Sequence, residues 1–139
     1  MAEFGDVRIL LIEDQLFIRS MMARMLGGIG FKEILQARDG KEAIDLMSAV
    51  GETVDVVLCD LKMPNMDGFE FVTQLRALPV ESVARVPVVV LTGTSDADSV
   101  QRLRALGIAG YIVKPASTQM VVERVRAALR MARKANQEA

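Results

Sequence analysis

Five side chains of this 139-residue chain could do chemistry together: Glu13, Asp14, Asp60, Thr92 and Lys114. Each stands at the carboxyl end of an apolar run. Three of them are carboxylates. Crowded on one rim, they would repel each other by about a few kcal/mol at the intermediate dielectric of a protein surface. A divalent cation held by oxygen ligands resolves that conflict, and Lys114 adds a fixed positive charge. The chain has no histidine, which removes His-based acid–base catalysis and His metal sites. Any metal must then take oxygen ligands, which favours Mg²⁺ or a similar hard cation. A cation, an ammonium and a hydroxyl converging beside a carboxylate suit a phosphoryl group. Asp60 is then the nucleophile, giving an aspartyl phosphate. Mg²⁺ held by Asp14, Asp60 and, through water, Glu13 would neutralise charge on the equatorial oxygens. Thr92 would donate a hydrogen bond to the phosphoryl group, and Lys114 would pair with it. Nothing supplies a strong general base for attacking water, so the covalent mark could persist.

The elements that must position these groups are legible in the hydrophobic pattern. Residues 7–12 are nearly all apolar and read as a strand covered on both faces. Residues 15–26 turn helical, with Ile18, Met22 and Met25 on one face, and Gly27-Gly28-Ile29-Gly30 is expected to end that helix. Residues 34–37 form a weaker strand, and residues 41–50 a helix with Ala43, Ile44 and Met47 inward. Residues 54–60 are an apolar, β-branched strand that spills at Asp60 into the turn Met63-Pro64-Asn65-Met66-Asp67-Gly68. A helix follows from Gly68 to about Leu78, with Phe69, Val72 and Leu75 on its core face and Pro79 limiting it. Residues 87–92 are the most apolar strand. Ser95 is placed to cap a helix that runs to Leu106 and stops at Gly107. Residues 110–114 form the fifth strand, cut off by Pro115. Ser117 or Thr118 caps a last helix, inward at Val121, Val122, Val125, Ala128, Leu129 and Ala132. Its outer face, Glu123, Arg124, Arg126, Arg130, Arg133 and Lys134, reads as solvated.

Five strand–helix pairs in strict alternation call for an α/β fold: a doubly wound, five-stranded parallel sheet with five helices. In such sheets the binding crevice lies at the carboxyl ends of the strands, at the topological switch point. That rim is where the five reactive residues fall.

With the reactive residues and the loop from Met63 to Gly68 in this order, and with Gly110-Tyr111-Ile112-Val113-Lys114-Pro115 closing the last strand, the chain resembles a receiver domain of a two-component response regulator. The likeness is to the single-domain, chemotaxis type and covers residues 7 to about 133. It implies one domain over 1–139, a flavodoxin-like sheet of order 2-1-3-4-5, and a cytoplasmic phosphoprotein rather than an enzyme, though one that takes part in its own phosphorylation and dephosphorylation. It implies that Asp60 accepts phosphate from a histidine kinase or histidine phosphotransfer protein, and that the main-chain carbonyl of Lys62 completes the Mg²⁺ site. It also implies that Thr92 and Tyr111 form a switch. On phosphorylation the threonine moves toward the phosphoryl group and the ring turns inward, reshaping the surface of the fourth helix, fifth strand and fifth helix. Output is then by protein contact or phosphorelay, with a downstream protein target. Lys62 and Thr94 stand where the family tunes dephosphorylation, and small Gly93 leaves the site open. Ala116 stands where many members carry a larger apolar residue.

Composition bounds the alternatives. Half the residues are hydrophobic and a quarter charged, a globular balance. With 17 basic against 18 acidic residues, nothing calls for nucleic acid as a bulk electrostatic partner. Cys59 is alone and reads as a small core residue. The first residues lack a basic region and a long apolar stretch, so neither a signal peptide nor membrane insertion is expected. Most of the reactive residues also have an ordinary reading: the acidic pair Glu13-Asp14 as a helix N-cap, Asp60 as a turn residue, Lys114 as a strand end. Their joint placement on one rim outweighs those readings. Leu16 lies away from the core face of the first helix and Phe17 only flanks it. With Gln15 and Ile18 they make a docking surface for a kinase or phosphotransfer helix. The rival function is a Mg²⁺-dependent phosphohydrolase with an aspartyl intermediate. Such enzymes want a second Asp two residues after the nucleophile, and Lys62 stands there. The chain could also be a receiver fragment of a larger regulator.

Overall fold

The computed structural model describes residues 3–93 and 96–138. Five parallel strands, β1 (Arg8–Ile12), β2 (Glu33–Ala37), β3 (Val56–Asp60), β4 (Val88–Thr92) and β5 (Gly110–Val113), form one sheet in the order β2-β1-β3-β4-β5. The helices are α1 (Leu16–Ile29), α2 (Gly40–Val50), α3 (Gly68–Arg76), the one-turn α4 (Glu81–Ala84), α5 (Ala97–Ala105) and α6 (Thr118–Glu138). The expected fourth and fifth helices are therefore α5 and α6. The extra turn, α4, was not legible because four residues are too few to show a 3.6-residue period.

Alternate residues of each central strand point to opposite faces. Leu10, Ile12, Val57, Cys59, Val88 and Val90 pack with α2, α3 and α5. Ile9, Leu11, Val56, Leu58, Val89 and Leu91 pack with α1 and α6. With both faces covered, β3 and β4 are buried along their whole length. The strands therefore read as unbroken apolar runs.

Several boundaries differ from expectation. The first helix runs through Gly27 and Gly28 and closes only at Gly30, whose φ of 102° supplies the left-handed turn. Its N-cap is Gln15, which makes no side-chain cap bond, so Asp14 is not spent as a cap. The core face of α3 is Phe71, Val72 and Leu75, and Phe69 is only partly buried. The helix ends at Arg76 rather than near Leu78. The expected cap Ser95 lies outside the described residues. The N-cap of α5 is Asp96, whose carboxylate accepts from the Ser99 N–H at 2.8 Å. At α6 the choice resolves to Ser117, whose Oγ accepts from the Met120 N–H. Among the described residues no helix is long and apolar enough to cross a membrane.

Candidate functional site

Strand register brings the reactive residues to one rim. Ile12 pairs with Ala37 on one side and Cys59 on the other, so Glu13 and Asp60 are next in line on adjacent strands. Asp60 pairs with Leu91 and Thr92 with Val113, so Thr92 and Lys114 follow the same edge. The ladders run past the strand ends: Glu13 N–H donates to the Ala37 carbonyl, Leu61 N–H to Leu91, and Lys114 N–H to Thr92. The backbone at the rim is thus fixed by the same bonds that build the sheet. The chain order reverses between β1 and β3, so the acidic groups lie at the topological switch point.

Asp60 and Glu13 are buried, with 4% and 1% of their surface exposed. Lys114 Nζ lies 2.8 Å from Asp60 Oδ1 and offsets part of the cost of burying that carboxylate. Glu13 Oε1 accepts from the Gln15 N–H, but Oε2 is buried with no hydrogen-bond partner. Burial, with a smaller contribution from the Asp60 charge, pushes the Glu13 carboxyl up to about 7, against the opposing pull of the Gln15 N–H and Lys114. Oxygen atoms of Glu13, Asp14 and Asp60 lie within 4.8 Å of one another. An orphaned buried oxygen beside two further carboxylates is a donor set that fits a hard divalent cation. Thr92 is buried and Lys62 exposed. Tyr111 is half-buried against the α2–α3–α5 face.

The loop after Asp60 is held tightly. Gly68 N–H donates to the Leu61 carbonyl at 2.7 Å, and Asp67 caps α3 by accepting from the Glu70 N–H. A Cβ at Gly68 would come within 2.9 Å of Leu61 Cα and 3.1 Å of the Asp60 carbonyl oxygen, so only glycine fits. Asn65 takes a φ of 69°, which asparagine tolerates better than most residues. Cys59 is buried under the site. Its Sγ donates to the Asp60 carbonyl, and burial beside Asp60 and Glu13 raises its thiol out of the reactive range.

Of the expected docking residues, Gln15, Leu16 and Phe17 are exposed, Leu16 at 68% and Phe17 at 76%. Ile18 is half-buried against the α6 face. Met21 is exposed as well and extends the apolar surface one turn along α1. Among the guanidinium contacts that sequence reasoning missed, two involve α3. Arg76, at the end of α3, donates to the carbonyls of Ala84, Val86, Leu106 and Gly107. Arg102 of α5 lies over the Phe69 ring, its guanidinium carbon 3.7 Å from the centroid. Neither partner set has a spacing that a sequence reveals.

The response regulator receiver domain family matches residues 9–126. Over 122 residues the chain is 34% identical to the transcriptional regulatory protein PdtaR of Mycobacterium tuberculosis, covering 88% of this chain and 56% of that protein. Over 123 residues it is 29% identical to the probable chemotaxis protein CheY of Rhizobium etli, covering 88% of this chain and 89% of that one. The solved structure of the Vibrio cholerae chemotaxis protein CheY4 is 30% identical, with a TM-score of 0.75 over 88% of this chain and 98% of that chain. The chain spans about half the length of the transcriptional regulators it matches and most of its chemotaxis relatives.

Proposed function

Because the chain belongs to the response regulator receiver domain family, and is on that footing a phospho-accepting receiver of two-component signalling, we propose that Asp60 is its phosphoacceptor. The observation that carries this is the buried Asp60 carboxylate, 2.8 Å from Lys114 Nζ and flanked by Glu13 and Asp14. The Asp60 oxygen not paired with Lys114 attacks phosphorus, and the bond to the donor nitrogen of a phosphohistidine breaks. Lys114 keeps its proton and moves its charge from the carboxylate to a phosphoryl oxygen. Thr92, one strand away on the same rim, donates its hydroxyl to another. Glu13, Asp14, Asp60 and the main-chain carbonyl of Lys62 would hold Mg²⁺. That ion supplies the charge that lets two anions meet. Lys114 and Thr92 orient the incoming group, and the apolar walls of β3 and β4 beneath the rim exclude water.

The donor is a histidine kinase or histidine phosphotransfer protein. It docks on Gln15, Leu16, Phe17 and the near side of Ile18, where exposed apolar surface adjoins the acidic site. The Thr92 hydroxyl and the half-buried Tyr111 ring then reset the surface of α5, β5 and α6 for a protein target or a phosphorelay. Residues 1–139 act as one receiver domain, with a core at about 7–133, in the cytoplasm. The test uses the protein with Mg²⁺ and acetyl phosphate and measures intact mass. One added phosphoryl group is expected for the wild type and none for Asp60→Ala. A mass shift that survives in the variant, or is absent from both, overturns the assignment.

A further inference from the structure

The stacking of Arg102 on Phe69 has no part in the roles assigned above. Phe69 follows Gly68, and Gly68 is in backbone contact with Leu61 and the Asp60 carbonyl, with no room for a Cβ between them. A displacement at the carboxyl end of β3 is therefore carried into the first turn of α3, since close-packed backbone cannot absorb it. On the far side of the contact stands α5, the least anchored of the long helices. Leu103 is its only buried side chain, whereas α3 buries Phe71, Val72 and Leu75. The carboxyl end of α5 is pinned, because Arg76 donates to the carbonyls of Leu106 and Gly107. A helix pinned at one end and thinly packed along its length can pivot. Arg102 is exposed and lies on the α3 side of that helix, so its stack on Phe69 is a second tie between α3 and α5.

We propose that Arg102 is a positioning residue that couples α5 to the state of Asp60 through Phe69, by a route separate from Thr92 and Tyr111. The proposal rests on the reading that Asp60 is phosphorylated. A guanidinium on a ring face suits the task. The attraction is electrostatic and persists as the planes slide, so it guides the helix without the apolar burial that would lock it. Arginine stacks flat on the ring, and lysine presents only a point charge.

The experiment measures backbone hydrogen exchange across α5 in the whole chain, with Mg²⁺, before and after acetyl phosphate. Intact mass of the same samples reports phosphorylation. In the wild type, phosphorylation changes α5 exchange. In Arg102→Ala and Phe69→Leu, phosphorylation proceeds within about two-fold of wild type, while the α5 response falls to about half or less. Arg102→Lys gives an intermediate response, and the Tyr111 emission change is retained in all three. Should Arg102→Ala fail to fold, Phe69→Leu and Arg102→Lys carry the comparison. An undiminished α5 response in the variants overturns the proposal, as does a phosphorylated wild type in which α5 exchange is unchanged. A wild type that takes up no phosphoryl group instead removes the Asp60 reading, and the coupling with it.

Discussion

Glu13 carries a buried oxygen, Oε2, with no hydrogen-bond partner among the described residues. Its carboxyl is raised by burial from 4.5 to about 7. Between those values the folded chain holds a proton that the unfolded chain has released. Stability must then fall as pH rises through that window, the reverse of an ordinary paired carboxylate. In chelator, the unfolding free energy should decline from pH 4.5 to 7 by about 2–3 kcal/mol, a decline that Glu13→Gln removes. The difference between the two pH profiles is the measurement, and parallel profiles would reject the assignment. Tyr111 allows a second test at this scale. It is the only tyrosine in a chain without tryptophan, so its emission reports on one half-buried position. Acetyl phosphate with Mg²⁺ should change that emission as the ring moves, and Thr92→Ala should abolish the change while Asp60 still gains mass. The placement of Glu13, Asp14, Asp60, Thr92 and Lys114 on one rim was legible because each ends an apolar run and because carboxylates are costly there. The orphaned Oε2 was not, since it depends on how Glu13 turns once Gln15 takes its other oxygen.

At the scale of elements, the strands and four of the long helices followed from hydrophobic period, because β1, β3 and β4 are covered on both faces. What stayed hidden depended on partners distant in sequence. Hydrophobic period puts Phe69, Val72 and Leu75 on the core face of α3; Val72 and Leu75 are buried, but Phe71 fills the place of Phe69, because both lie within one turn and the pattern alone does not choose. Arg76 reads as an ordinary cation at a helix C-terminus. It is instead a partly buried clamp on the ends of three elements: α3 itself, the α4–β4 turn through Ala84 and Val86, and the end of α5 through Leu106 and Gly107. It holds no ion pair with a carboxylate among the described residues, and burial lowers its pKa. Its charge is offset by carbonyl dipoles alone. Arg76→Ala should destabilise the fold by about 2–3 kcal/mol, because it leaves several carbonyls unpaired. Arg76→Lys should recover only part of the loss, since one ammonium cannot span the fork. Urea denaturation of the three proteins checks both statements, and equal midpoints for lysine and arginine would refute the clamp.

Over the whole molecule, the sheet order and the switch point between β1 and β3 are what make a site out of scattered residues. Strict strand–helix alternation established the parallel sheet, and the order was carried over by likeness because hydrophobic pattern does not rank strands within a sheet. The site itself draws on β1, β3, β4 and β5, from residue 13 to residue 114. No hairpin or single βα unit holds more than two of its groups, so none of its chemistry precedes the closure of the longest loops. A chain with β5 undocked has lost the ammonium that faces Asp60, and one with β1 displaced has lost two carboxylates. Competence to accept a phosphoryl group is therefore a proofreading step on folding. A copy with β1 or β5 undocked is expected to take up no phosphoryl group, so uptake would count only fully assembled molecules.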